Sequence, residues 1–118
     1  MIIRRREVRR YQTAEGRAPF WEWLYSLRDV HTRAVILNRL ERFAEGNPGH
    51  WRSLGDGVFE LKIDFGPGYR LYFAESGTAY VILLCGGDKG SQNKDVQKAK
   101  IYWEDFKRRT YGSQPPLS

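Results

Sequence analysis

Over residues 58–74 the side chains alternate in character around Gly66-Pro67-Gly68, and no other stretch restricts the fold as tightly. Successive side chains on a strand point to opposite faces, so a period-two run interrupted by turn residues reads as an antiparallel hairpin. With the turn centred near Pro67, Asp64 lies opposite Arg70 and Lys62 opposite Tyr72. One face then holds Phe59, Leu61, Ile63, Phe65, Tyr69, Leu71 and Phe73, an apolar surface for helices to cover. The other holds Glu60, Lys62, Asp64, Arg70 and Tyr72, all polar or ionisable. A slip of one residue would mix the two sets, so their separation supports the register.

The flanking segments supply the rest of an α+β fold. Ser76-Gly77 marks a second turn, and residues 78–85 form a third strand, apolar on both faces and therefore interior. A two-residue turn there places Val81, Leu83 and Cys85 on the polar face of the hairpin. Residues 86–92 read as a glycine-rich loop that brings Lys89 to the rim of that face. Upstream, Phe20, Trp23, Leu24 and Leu27 recur at helical spacing behind Pro19, which suits a first helical position; the spacing predicts a helix over 18–28. Asp29 caps a second helix over 30–45, with Val30, Leu37, Leu40, Phe43 and Ala44 as its apolar stripe and Gly46 as its stop. The two form a helical hairpin. A basic edge strand over 7–13 precedes them. A final helix over 93–108 turns Val96, Ala99, Trp103 and Phe106 to the core. This makes one domain over 1–109, followed by a tail over 110–118 that reads as disordered.

Charge narrows the partners. Lys and Arg number 20 against 14 acidic residues in 118, a net charge of +6, which favours polyanions such as nucleic acid. The lone Cys85 sits in an apolar run and reads as a buried hydrophobe. His31 and His50 lack metal-ligand spacing and read as surface residues. No metal or cofactor is expected. No apolar run is long enough to span a membrane, and no apolar segment follows the N-terminal arginines as in a secretory signal, so a cytoplasmic protein is expected.

The polar face of the hairpin suits RNA cleavage by the ribose 2′-hydroxyl. That reaction needs a base for the 2′-OH proton, positive charge on the pentavalent phosphorus, and an acid for the leaving 5′-oxygen. Arg70 suits the charge, because a guanidinium grips phosphate through paired hydrogen bonds. Lys62 can do the same or act as a base when crowded by Arg70 and Lys89. Tyr72 can stack on a base or donate a proton, and Glu60 is an alternative base. A solvated face with an Asp64–Arg70 ion pair explains the same pattern without any reaction. The loop over 86–91 lacks P-loop spacing; it is either a phosphate cradle or a plain strand-to-helix connection.

Three segments resemble the RelE/HigB-like toxins of bacterial toxin–antitoxin pairs, the addiction-module killer branch of the RelE/ParE superfamily. They are Pro19-Phe20-Trp21-Glu22-Trp23-Leu24 with Leu27-Arg28-Asp29; Gly57-Val58-Phe59-Glu60-Leu61-Lys62-Ile63 with Gly66-Pro67-Gly68-Tyr69-Arg70-Leu71-Tyr72-Phe73; and Leu83-Leu84-Cys85-Gly86-Gly87-Asp88-Lys89-Gly90-Ser91-Gln92 with Lys94-Asp95 and Ala99. The resemblance implies a RelE-like fold, metal-independent and ribosome-dependent cleavage of messenger RNA, and inhibition by a cognate antitoxin, expected to be a helix-turn-helix protein. It places Lys62, Arg70 and Lys89 at basic catalytic positions. Glu60 stands where RelE has a further lysine, and the late tyrosine of that family has no counterpart near Val96. Arg4, Arg5, Arg6, Arg9, Arg10 and Lys94 are the candidate RNA contacts, although a charged edge strand explains the arginines equally well. Two other readings of the same resemblance are a ParE-like toxin that inhibits DNA gyrase and an inactive relative that only binds an antitoxin.

Overall fold

The computed structural model describes residues 5–112. The chain runs β1 (Glu7–Arg10), α1 (Pro19–Ser26), α2 (Val30–Ala44), β2 (His50–Ser53), β3 (Val58–Ile63), β4 (Tyr69–Ser76), β5 (Tyr80–Asp88), a 3-10 turn (Lys89–Ser91) and α3 (Gln92–Tyr111). The five strands form one mixed sheet in the order β1-β5-β4-β3-β2. β1 pairs parallel with β5, and every other neighbouring pair is antiparallel. The fold is α+β, as the alternation and helical spacings imply.

Both faces of the sheet are covered. Phe20 and Leu24 of α1 and Ile36 and Phe43 of α2 pack on Leu61, Ile63, Leu71 and Phe73, the apolar set of the hairpin. On the opposite face, Ala99 and Trp103 of α3 pack on Val58, Tyr72, Ala74, Ile82 and Leu84. The hairpin's second face is therefore no solvated surface: α3 buries half of it.

The β3–β4 register differs from the expectation by two residues. Lys62 pairs with Arg70 and Glu60 with Tyr72, because the loop spans residues 64–68 and is centred on Gly66. The Phe65 amide donates to the Ile63 carbonyl (3.0 Å) and the Gly68 amide to the Phe65 carbonyl (3.0 Å). Gly66 and Gly68 take φ of 55° and 88°, where a side chain is strained. A two-residue shift leaves the faces unchanged, since the side-chain period is two.

The β4–β5 pair corrects a second expectation. Ser76 pairs with Tyr80, so the loop holds three residues and not two. That extra residue turns Val81 and Leu83 to the α1–α2 side. An irregularity between Tyr72 and Phe73 returns Cys85 to the Tyr72 side, as expected. β5 also continues through Gly86 and Gly87 to Asp88, where a loop was expected. The glycines serve close packing on both faces. A Cβ at Gly86 would meet the Trp23 ring at 2.3 Å, and one at Gly87 would lie 1.8 Å from an Asp95 carboxylate oxygen.

Smaller differences concern the ends of elements. β1 stops at Arg10, short of residue 13. α2 is capped by Asp29, whose carboxylate accepts from the His31 amide (3.2 Å) and the Thr32 hydroxyl (2.8 Å); these bonds hold its pKa below the ordinary carboxylate value. Val30, assigned to the apolar stripe, is 68% exposed. α3 continues to Tyr111, so Thr110 and Tyr111 of the expected tail are helical, and residues 113–118 lie outside those described. β2 has no counterpart in the sequence reading.

Candidate nucleic-acid interface

Three cations of the hairpin and the following turn meet at one cleft. Lys62 of β3, Arg70 of β4 and Lys89 of the 3-10 turn line a cleft of about 300 Å³, floored by the loop Gly66-Pro67-Gly68. The turn is tied down by the Lys89 amide, which donates to the Gly68 carbonyl (3.2 Å), and by Asp88, whose side chain accepts from the Ser91 amide (3.1 Å). Lys62 and Arg70 are paired residues on adjacent strands. The hairpin thus places two cations side by side, and the turn adds the third.

Arg70 is buried, its side chain 9% exposed. Its Nε lies 3.7 Å from Glu60 Oε2, within ion-pair range but too far for a hydrogen bond. Nε and Nη1 are both buried without a hydrogen-bond partner. Buried donors without acceptors are rare and costly, more so when charged. Arg70 is therefore a cation held in place by coulombic attraction with donors still to be satisfied.

Glu60 is buried and engaged on both oxygens. It accepts from Arg52 Nε (3.1 Å) and from Gln92 Nε2 (3.0 Å), besides its pairing with Arg70. This geometry makes it the anchor of Arg70 and leaves neither oxygen open for the role of alternative base. Tyr72 is fully buried beneath α3, its hydroxyl without a partner. Burial, then the charges of Glu60 and Asp95, raise its pKa well above the ordinary phenol value. No face of the ring is open to a stacking base, so the roles assigned to Tyr72 do not survive its position.

The expected Asp64–Arg70 pair is also absent. Asp64 lies in the loop, its Oδ1 3.5 Å from Lys62 Nζ and its Oδ2 3.4 Å from His50 Nδ1. His50 and Arg52 arrive on β2, which pairs His50 with Lys62 and Arg52 with Glu60. A wider cleft of about 580 Å³ lies along this edge, lined among others by His50, Arg52, Lys62 and Arg70. The sequence reading missed His50, Arg52 and Gln92. Four residues of β2 are too few to show a period, and the only available signal was the neighbouring hairpin, which leaves an edge to be paired.

The N-terminal arginines lie elsewhere, at the opposite edge of the sheet. Arg6 is buried, paired with Glu75 and 5.3 Å from the centre of the Phe43 ring, with its Nε left without a hydrogen-bond partner. Arg9 pairs with Glu7 at 2.7 Å and lies over Tyr80; Arg10 lies over Trp21. Arg5 is exposed near Thr78 and Ala79. Arg4 lies outside the described residues. Lys94 is exposed in the first turn of α3 and lines neither cleft.

Cys85 is buried, its thiol donating to the Asp95 carbonyl at 3.8 Å. Burial pushes its pKa up to about 12, so it carries no nucleophilic thiolate near neutral pH. Among the described residues, no group of three or more His, Cys, Asp or Glu side chains is placed to hold a metal ion, and no helix is long and apolar enough to cross a membrane.

Comparison with known proteins gives the family. Residues 22–106 match the family described as phage-derived protein Gp49-like. An uncharacterized protein of Haemophilus influenzae is 46% identical over 87 residues, which cover 74% of this chain and 88% of that protein. The match spans the second and third segments on which the likeness to RelE/HigB-like toxins rests, and it assigns them differently. Those segments record a hairpin and a strand-to-helix junction, features that the fold imposes and that more than one family can share. The chain belongs to the Gp49-like family of phage-derived proteins and not to the RelE/ParE superfamily.

Proposed function

We propose that this protein is the toxin of a toxin–antitoxin pair, a metal-independent endoribonuclease that cuts messenger RNA on the ribosome. The observation that carries the reading is Arg70, a buried guanidinium with unsatisfied donors at a cleft shared with Lys62 and Lys89. A phosphodiester in the cleft gives the Arg70 charge an anionic partner beyond Glu60, which it holds only at 3.7 Å. The net charge of +6 favours approach to RNA.

The chemistry follows from the groups at the cleft. The 2′-oxygen attacks phosphorus, the bond from phosphorus to the 5′-oxygen breaks, and a cyclic phosphate and a 5′-hydroxyl result. Arg70 and Lys62 neutralise the charge that builds on the phosphorane oxygens. Lys89 gives the proton to the 5′-oxygen. His50, whose Nδ1 lies 3.4 Å from Asp64 Oδ2, takes the 2′-OH proton.

The engagement of Glu60 and the burial of Tyr72 favour a second reading, in which the same cleft binds RNA without cutting it. A purified bacterial translation system, with message read by primer extension, separates the two. Discrete ribosome-dependent cuts, lost in Lys62→Ala, Arg70→Ala and Lys89→Ala, support the nuclease. Intact message with RNA still bound supports the second reading. A cognate antitoxin of helix-turn-helix type is the expected partner, covering the cleft. Co-expression with the neighbouring open reading frame should yield a complex in which cleavage is suppressed; two proteins that purify separately would remove the antitoxin from the proposal.

A further inference from the structure

The cleft extends past Lys62 onto α2. A third hollow of about 320 Å³ lies between α2 and β3, and Arg39, Arg42, Gly49, His50, Lys62 and Asp64 are among its lining residues. Lys62, Asp64 and Phe65 also line the cleft of Arg70 and Lys89, so the two hollows adjoin across these residues.

Arg39 is the unexplained residue. Arg5, Arg28, Arg39 and Arg42 have neither a carboxylate nor an aromatic ring as partner among the described residues, and only Arg39 of the four is part-buried. Its guanidinium folds against the backbone of β2's approach, so that a Cβ at Gly49 would lie 1.4 Å from Nη2. Its one hydrogen bond, to the Asn47 carbonyl, is 3.5 Å long, at the limit of an effective contact. Burial and the adjacent Arg42 both disfavour its charged form. Arg42 stands in the last turn of α2, where the helix dipole accounts for a cation. The dipole does not account for Arg39, whose group is turned into the hollow.

We infer that Arg39 and Arg42 form a second phosphate subsite, and that single-stranded RNA runs from Lys89 past Arg70 and Lys62 onto α2. This rests on the reading of the Arg70 cleft as an RNA site. A strand with one phosphate per nucleotide is attracted to successive cations, and Lys89 and Arg70 on one side of Lys62 with Arg39 and Arg42 on the other supply them across the two adjoining hollows.

The test is fluorescence anisotropy with 2′-O-methyl RNA of three and of eight nucleotides, which binds but is not cut, over a range of salt. The octamer should bind wild type more tightly than the trimer. Arg39→Gln with Arg42→Gln should weaken the octamer about tenfold, lower its salt slope by about 1.4 and leave the trimer unchanged. Arg9→Gln with Arg10→Gln, which removes the same charge at the far edge, should leave both unchanged. An equal loss for both oligonucleotides, or for both double variants, would mean general electrostatics and would overturn the subsite. An octamer unaffected by the α2 pair would overturn it as well, while leaving the Arg70 cleft standing. If wild type binds neither oligonucleotide, the cleft reading fails and the subsite with it. A polyglutamate octapeptide that binds more tightly than RNA, through Arg39 and Arg42, would assign the groove to an acidic protein segment instead.

Discussion

The β1 edge of the sheet and the cleft around the β3–β4 hairpin both gather basic side chains and use them differently. At the β1 edge, Arg6 is paired with Glu75, Arg9 with Glu7 and Tyr80, and Arg10 rests on Trp21. Around the hairpin cleft and α2, Arg70 keeps two unsatisfied donors, Lys89 makes no ion pair among the described residues, and Arg39 has one long hydrogen bond. Charge density along the sequence points to the β1 edge. Satisfaction of partners points to the cleft. Arg6 leaves one buried nitrogen unpaired beside a close carboxylate, whereas Arg70 leaves two and holds its carboxylate only at 3.7 Å, so Arg70 has more to gain from an anion.

Substitutions can break this comparison at either place. The largest effect is expected from Arg70→Ala, which should lower RNA cleavage by about 10²- to 10³-fold, the usual range for loss of a charge-stabilising donor; single-turnover cleavage measures it. Glu60→Ala should follow, destabilising the fold by about 3 kcal/mol because Arg70 is then left buried and uncompensated. Urea unfolding would show this, and a stability unchanged from wild type would mean that Arg52 and Gln92, not Arg70, need the carboxylate. Arg6→Ala should cost about 2 kcal/mol, less than a fully buried pair because Glu75 keeps contact with water. RNA affinity of its folded fraction should match wild type; weakened binding would move the β1 edge into the interface.

The smallest effect sharpens the picture of that edge. Tyr11, just past β1, donates to Asp105 of α3 at 2.6 Å. Burial first, and this bond second, raise its pKa from 10 to about 12. The folded state therefore holds the phenol proton more tightly than the unfolded chain. The resulting stability is complete below pH 10 and is lost as pH rises through about 12. Asp105 is shifted the other way, its pKa lowered by Arg109 and then by Tyr11, so its contribution is present above the ordinary carboxylate range and fades on acidification. Tyr11→Phe should flatten the alkaline arm of a melting-temperature profile and leave RNA binding unchanged.

Much of this molecule can be read from local pattern. Alternation in the hairpin sorts Leu61, Ile63, Leu71 and Phe73 from Glu60, Lys62 and Arg70, and period-two symmetry protects that sorting even when the register shifts by two. Loop length is harder: one additional residue before Tyr80 reverses the facing of Val81 and Leu83, and no local preference fixes it. Burial is harder still. Nothing in the identity of Tyr72 tells whether α3 or water lies above it, and the letters of Arg6 and Arg70 do not differ. Gly86 and Gly87 mislead for a physical reason. Glycine signals a turn when it frees φ, but here it removes a Cβ from the path of Trp23 on one face and Asp95 on the other. The site was half visible, because its hairpin cations follow the alternation, and half hidden, because His50 and Arg52 sit on a strand that only tertiary pairing creates.

The parallel pairing of β1 with β5 sets an order of events. Glu7 and Val8 align with Tyr80 and Val81, so among the described residues the first strand waits for the last one. Contacts this distant along the chain are slow to form, because the intervening loop must be closed first. During synthesis the helical hairpin and β2–β4 leave the ribosome well before β5, and Lys89 emerges only after it. A truncated chain that stops short of β5 has neither its edge strand docked nor Lys89. The β1 edge of the sheet is thus closed by a strand made some seventy residues after it.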